Sequence, residues 1–304
     1  MDCLDMPSRT VLGTAQFEPA YGFDERRGEL SADCRVTELF DTIWKKGVRE
    51  IDTAVAYGQA HEKIQSYLIR HPDKWFNITT KFTEKNARQR KSIEELVSLQ
   101  NCPEIEVLLH RELDLDNSDA ISFARRFVEN NKKVTWGVSV YQLEFAEKVL
   151  KLPDCSVVQI PLSILNQDFA NSEFIECAQK KGIKVVARSI YSLGIVFKPL
   201  HFFHSFPPSV KDVMAAIHEF SNSHNVSIAS IACLFSHWVG VDKWIVGANS
   251  VSQIEAALSS VSAENLESLF AYLSQQSRNW DSALFRPELW DDNFRKNLLT
   301  DSQS

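Results

Sequence analysis

The chain has 304 residues, 44% of them hydrophobic, with a formal charge of −7 and a sequence pI near 5.7. That length buries a large core, and without a Lys/Arg-rich run it gives no footprint for nucleic acid. No stretch approaches the ~18 uninterrupted apolar residues of a membrane span, no basic region precedes an apolar run at the N-terminus, and the cysteines (Cys3, Cys34, Cys102, Cys155, Cys177, Cys233) lack CxxC or Cys/His ligand spacing. They read as reduced thiols of a cytoplasmic protein with no metal site.

Short β-rich runs alternate with longer amphipathic ones. Val11–Phe17 reads as strand one. A helix follows from Asp33, an N-cap candidate, to Lys46, stopped by Gly47. Strand two, Arg49–Ala54, carries Asp52, and a helix from Gln59 to Arg70 ends before Pro72. Strand three ends at Lys81, and a helix over Ser92–Gln100 leads to strand four, which ends at His110. Asp116–Asn130 is helical, with Ala120, Phe123, Ala124 and Phe127 on one stripe. Strand five is Val134–Ser139, Leu143–Leu150 is helical, and strand six is Ser156–Ile160. A helix over Phe174–Lys181 stops at Gly182, before strand seven, Lys184–Ser189. Val210–Ser221 and Ile228–Val239 are helical, Lys243–Gly247 is strand eight, and helices follow over Ser252–Ser259 and Ala263–Gln275.

Eight β-α units in about 260 residues match the size of a (β/α)8 TIM barrel. The strands are near-continuous apolar runs, as parallel strands covered on both faces are. A doubly wound dinucleotide fold would carry GxGxxG in its first turn, and Gly13-Thr14-Ala15-Gln16 does not. With no linker or composition break, residues 1–304 are expected to form one barrel domain. The apolar segment Pro199–Pro208 follows strand seven and is expected at the active-site face.

Asp52, Lys81 and His110 lie at or beside the ends of successive strands, and Tyr57 follows Asp52 in Asp52-Thr53-Ala54-Val55-Ala56-Tyr57-Gly58. Strand-end residues of a parallel barrel converge on one face. A free phenol has a pKa of ~10, and a nearby Lys81 ammonium would lower that of Tyr57. Asp52 can hold the ammonium, and His110 can orient a carbonyl oxygen. The set suits protonation of a carbonyl while hydride reaches its carbon. No metal or flavin motif offers a simpler donor.

With these residues in order, the chain resembles the aldo-keto reductases over about Val11 to Ala257. The resemblance implies a barrel that binds NAD(H) or NADP(H), with Asp52, Tyr57, Lys81 and His110 as the catalytic tetrad and Tyr57 as general acid/base. It implies that Ser139 and Gln159 hold the nicotinamide carboxamide, although Val140 stands where the family usually has Asn. Arg188 occupies the place of a stacking Tyr, and a planar guanidinium can also stack. Gly13, Thr14, Asp52, Ser189, Tyr191 and Leu193 join the implied cofactor contacts, with Gly247, Ala248, Asn249 and Gln253 in the phosphate-binding loop. Between Gly247 and Ala257 there is no Lys or Arg, so a 2′-phosphate would lack charge-assisted bonds, which inclines the expectation to NAD(H). The Leu12–Phe17 run with Tyr21-Gly22, and Ala187–Gly194, are similar to a bacterial subgroup associated with surface-polysaccharide or modified-sugar pathways.

The expected substrate is a small carbonyl or alcohol, with no nucleic-acid or membrane partner; oligomeric state is not legible. Glu18, Tyr21, Arg111 and the Phe202–Phe206 cluster are substrate candidates by position. Arg111 either meets an anionic substrate or pairs with Glu112 or Asp114, and Arg188 either serves the site or pairs with a carboxylate. His201 and His204 have no third ligand for a metal. The alternative reading is a nucleotide-bound regulator or sensor on the same barrel, because fold alone does not settle function.

Overall fold

The computed structural model describes residues 5–17, 33–83, 86–259, 266–278, 280 and 285; Cys3, Glu18, Tyr21, Gly22 and the side chain of Cys34 lie outside the described residues. A short helix α1 (Met6–Arg9) leads into β1 (Thr10–Gly13). The units then run α2 (Asp33–Lys45), β2 (Glu50–Asp52), α3 (Ala60–Arg70), β3 (Asn77–Phe82), α4 (Ala87–Val97), β4 (Ile105–Leu109), α5 (Ser118–Asn130), β5 (Val134–Ser139), α6 (Leu143–Val149), β6 (Val157–Pro161), α7 (Phe174–Lys180), β7 (Lys184–Arg188), α8 (Pro208–His224), α9 (Ile228–Val239), β8 (Lys243–Gly247), α10 (Val251–Ala257) and α11 (Leu266–Ser277).

All eight strands pair in parallel with their chain neighbours, and β1 pairs with β8, so the sheet closes into a barrel in the order β1 to β8. This is the expected (β/α)8 architecture. The strands are buried on both faces, which is why they read as apolar runs. Val11, Leu108, Val157, Val186 and Ile245 form a cluster of their own in the barrel interior, apart from the larger core between sheet and helices.

Side chains alternate along a strand, so residues two positions beyond this plug share its inward side. Gly13, His110, Gln159, Arg188 and Gly247 stand there, at the mouth formed by the C-terminal strand ends. Two positions before it, Glu106 of β4 pairs with Lys184 of β7. Glu50 of β2 likewise pairs with Lys243 of β8. These strands are not neighbours, so both ion pairs cross the interior and close the opposite end.

Several boundaries depart from expectation, each for a local reason. Strand one stops at Gly13 because Thr14 N–H donates to the Asp52 carbonyl and a 3-10 turn follows over Ala15–Phe17. α4 starts at Ala87 instead of Ser92, since the Asn86 side chain caps it by accepting from Gln89 N–H at 2.9 Å. α8 starts at Pro208, a favoured first-turn residue, and runs to a left-handed Asn225. The Pro199–Pro208 loop holds a 3-10 turn over Leu200–Ser205. Two further 3-10 turns, Glu112–Asp116 and Ser192–Phe197, shape the loops after β4 and β7. Among the described residues no helix is long and apolar enough to cross a membrane.

Candidate active site

Asp52 and Lys81 meet at the mouth, 4% and 2% exposed. The Lys81 ammonium donates to Asp52 Oδ1 at 2.6 Å, Asp52 Oδ2 at 2.7 Å and the Thr53 carbonyl at 3.0 Å. Burial of either charge alone would be costly, and the close pairing offsets it. Gln159 donates its amide to Asp52 Oδ2 at 2.6 Å. The backbone of Asp52 is held by Thr14, whose N–H and Oγ1 donate to its carbonyl at 2.9 and 3.0 Å.

Tyr57 reaches the same mouth on a tight turn, in which Tyr57 N–H donates to Ala54 O and Ala60 N–H to Tyr57 O. Gly58 completes it at φ +46°, a conformation that costs glycine little. The Lys81 nitrogen lies 5.3 Å from the centre of the Tyr57 ring. The His110 ring stands edge-on to Tyr57, centroids 5.8 Å apart at 82°. The four residues expected to act together are therefore neighbours in space.

Their electrostatics differ from expectation in one respect. Burial raises the Tyr57 phenol above its ordinary range, the Asp52 carboxylate raises it further, and Arg188 opposes the rise. The expected lowering by Lys81 is not the outcome, because the Asp52 carboxylate matches the ammonium's charge at bonding distance. Burial also pushes His110 down to about 3, helped by the charges of Lys81, Arg188 and Arg111. His110 is thus neutral at pH 7, and its buried Nδ1 has no protein partner.

Arg188 is held at three points. Its Nε donates to Ser139 Oγ at 3.1 Å, one terminal nitrogen to Val140 O at 2.9 Å, and the other to Ser189 Oγ at 3.3 Å. Its guanidinium carbon lies 3.9 Å from the centre of the Tyr141 ring, a cation–π stack. Tyr141 and its neighbour are pinned in turn by the buried Glu112, whose Oε2 accepts from Tyr141 N–H at 2.6 Å and Gln142 N–H at 2.9 Å. Sequence reasoning missed Tyr141 and Glu112; an aromatic directly after Ser139-Val140 was the available signal. Arg111 turns to Asp114, at 3.2 Å, and to the Thr83 carbonyl, at 2.9 Å.

The residues expected around a cofactor divide by what their side chains do. Gly13 packs tightly on β8, where a Cβ would come 2.7 Å from Ile245 Cγ2. Tyr191 is buried with its hydroxyl 3.7 Å from Cys233 Sγ on α9, so its side chain belongs to the core and only its backbone can serve the mouth. Ser189, Ser192 and Leu193 take φ values of 59°, 46° and 56°, and Gly194 takes 95°. Such a run of left-handed residues turns the backbone sharply, a geometry associated with ligand sites. Ala248 is buried, and Gln253 Oε1 accepts from Asn249 N–H at 2.8 Å, tying the loop after β8 to α10. Gly247 lies against Gln16, whose amide nitrogen would sit 3.0 Å from an added Cβ.

Two buried oxygens test whether a nicotinamide cofactor fits. Gln159 Oε1 and Gln16 Oε1 have no protein partner, and orphaned buried acceptors carry a desolvation cost. A primary amide supplies the missing N–H for Gln159, and Ser139 Oγ, which accepts from Arg188, still has a proton to donate. The residues present fit such a group. The aromatic cluster Phe202, Phe203 and Phe206, by contrast, packs on itself and on Phe285.

Comparison with known proteins follows the same line. A family model described as "Aldo/keto reductase family" matches residues 10–275. Among solved structures, a glycerol dehydrogenase from Gluconobacter oxydans aligns with TM-score 0.65 at 16% identity, over 90% of this chain and 94% of that one. An aldo/keto reductase from Klebsiella pneumoniae in complex with NADP and acetate aligns with TM-score 0.61 at 18% identity, over 86% and 89%. The thermostable aldo-keto reductase Tm1743, in complex with the inhibitor epalrestat, aligns with TM-score 0.61 at 19% identity, over 87% and 94%. Identities this low speak for the fold alone, and a search of curated protein sequences returns no match. The family model spans most of the chain, and the chain belongs to the aldo/keto reductase family of oxidoreductases.

Proposed function

We propose that this protein reduces an aldehyde or ketone, or oxidises the matching alcohol, with Tyr57 as the general acid/base. The observation that carries the reading is the convergence of Tyr57, neutral His110 and the buried Asp52–Lys81 pair at one mouth of the barrel. A phenol kept protonated by burial is a donor ready for a carbonyl oxygen. His110, uncharged and with an unpartnered ring nitrogen, can hydrogen-bond the same oxygen. Asp52, Lys81 and Gln159 hold the floor of the site rigid.

A bound nicotinamide cofactor would supply the hydride. Gln159 Oε1 and Ser139 Oγ are the groups suited to its carboxamide, with Arg188 beside them. The backbone around Ser189, Tyr191 and Leu193, with Thr14 and the loop Gly247, Ala248, Asn249 and Gln253, would take the remainder. No cation lies between Gly247 and Ala257, which favours NAD(H) over NADP(H). The substrate proposed is a sugar-type carbonyl. It is supported by the sequence subgroup resembled.

Tyr57→Phe tests the reading. Carbonyl reduction should fall by a factor of about 10²–10⁴ while cofactor binding persists; undiminished turnover would refute the assignment.

A further inference from the structure

We propose that Arg188 is a positioning residue for Tyr57: a guanidinium clamped between the ends of β5 and β7 whose charge stabilises the phenolate that Tyr57 becomes when it gives up its proton. The inference rests on Tyr57 carrying that proton, but its test does not depend on turnover.

A phenol that acts as general acid must pass through its anion, and a cation in the same low-dielectric mouth favours that state. Two cations share the barrel mouth with Tyr57: Lys81, 5.3 Å from its ring centre, and Arg188, at the end of β7. The Lys81 ammonium already donates to both oxygens of Asp52 and to the Thr53 carbonyl, three acceptors for its three protons. Its charge reaches the phenol as half of a tight ion pair.

Arg188 is the other cation. It points inward two positions beyond the interior residue Val186, and Ser139 Oγ, Val140 O and Ser189 Oγ hold it. All three are neutral acceptors, and among the described residues no carboxylate forms an ion pair with it. The Tyr141 ring under its face fixes the plane of the guanidinium at 3.9 Å, and Glu112 fixes Tyr141. A charge so mounted is preorganised, with little reorganisation left to occur when the phenolate forms.

Among the described residues, the titratable groups around Tyr57 are Asp52 from β2, Lys81 from β3, His110 after β4, Tyr141 after β5 and Arg188 from β7. Of these, Asp52 and Tyr141 oppose ionisation of the phenol, His110 is neutral, and Arg188 favours it. The same guanidinium helps keep His110 unprotonated, so one cation prepares both partners of the substrate oxygen.

The test places 3,5-difluorotyrosine at position 57 of the full chain and follows its ¹⁹F shift against pH, without cofactor or substrate. Arg188→Gln should raise the ionisation midpoint by about one pH unit, a tenfold change in proton affinity. Arg188→Lys, which keeps the charge, should stay closer to the parent. Arg188→Met, a second variant that removes the charge, should give the same rise and serves in place of Arg188→Gln should that variant not fold. An unchanged midpoint in Arg188→Gln, or in Arg188→Met where it stands in, would overturn the proposal. So would an equal rise in Arg188→Gln and Arg188→Lys. Because no turnover is measured, such results differ from failure of the Tyr57→Phe test, which would remove Tyr57 itself from the reaction.

Discussion

Gln159 donates to Asp52 Oδ2 at 2.6 Å across the barrel mouth, from a strand 107 positions further along the chain. One side chain thus does two things. Its nitrogen is spent on Asp52, while its oxygen remains buried and unpartnered. Gln159→Leu should therefore weaken nicotinamide binding by about tenfold and cost about 1–3 kcal/mol of stability, since it also strips a donor from a buried carboxylate. Fluorescence titration with cofactor and urea denaturation measure the two effects separately.

Asp52 and Lys81 should prove unequal to the sum of their parts. Lys81→Met leaves a carboxylate that is 4% exposed without its cation, and should destabilise the protein by about 3–5 kcal/mol. Adding Asp52→Leu should restore much of that stability without restoring activity. The urea midpoints of both single variants and the double variant give the coupling directly.

Acid should unfold the protein earlier than its carboxylates alone require. His61 donates or accepts through both ring nitrogens, 2.8 Å from Ser92 Oγ and from Thr80 Oγ1. Burial lowers its pKa to about 4, and that of His110 to about 3. Unfolded histidines titrate near ~6.5. As pH falls from there towards 4, the unfolded chain takes up protons that the folded one refuses. Each histidine then lowers stability by up to about 1.4 kcal/mol per pH unit, and the slope fades as pH rises through ~6.5. Urea midpoints between pH 7 and pH 5 should show the decline, and His61→Gln should reduce it.

The barrel was legible because its strands are apolar on both faces and end in polar residues that alternation turns inward. The same alternation put Asp52, Lys81, His110 and Gln159 at one mouth. What a sequence could not give were pairings set by closure of the sheet. The bond from Gln159 to Asp52, the stack of Arg188 on Tyr141, and the matching of Lys81 by Asp52 that leaves burial dominant at Tyr57 all join distant strands. That the Tyr191 side chain turns to Cys233 of α9 was likewise not legible, in a loop where Ser189, Ser192, Leu193 and Gly194 take positive φ. Helix starts were missed where one capping side chain decides them, as Asn86 does for α4.

The most direct measurement is a tryptophan-fluorescence titration of the wild type and Tyr57→Phe with NADH and NADPH, followed by reduction of sugar-type aldehydes with whichever binds. Saturable quenching by a reduced cofactor, tighter for NADH and equal in both proteins, with turnover confined to the wild type, is the expected result. Binding of neither cofactor, or equal turnover in Tyr57→Phe, would contradict the account.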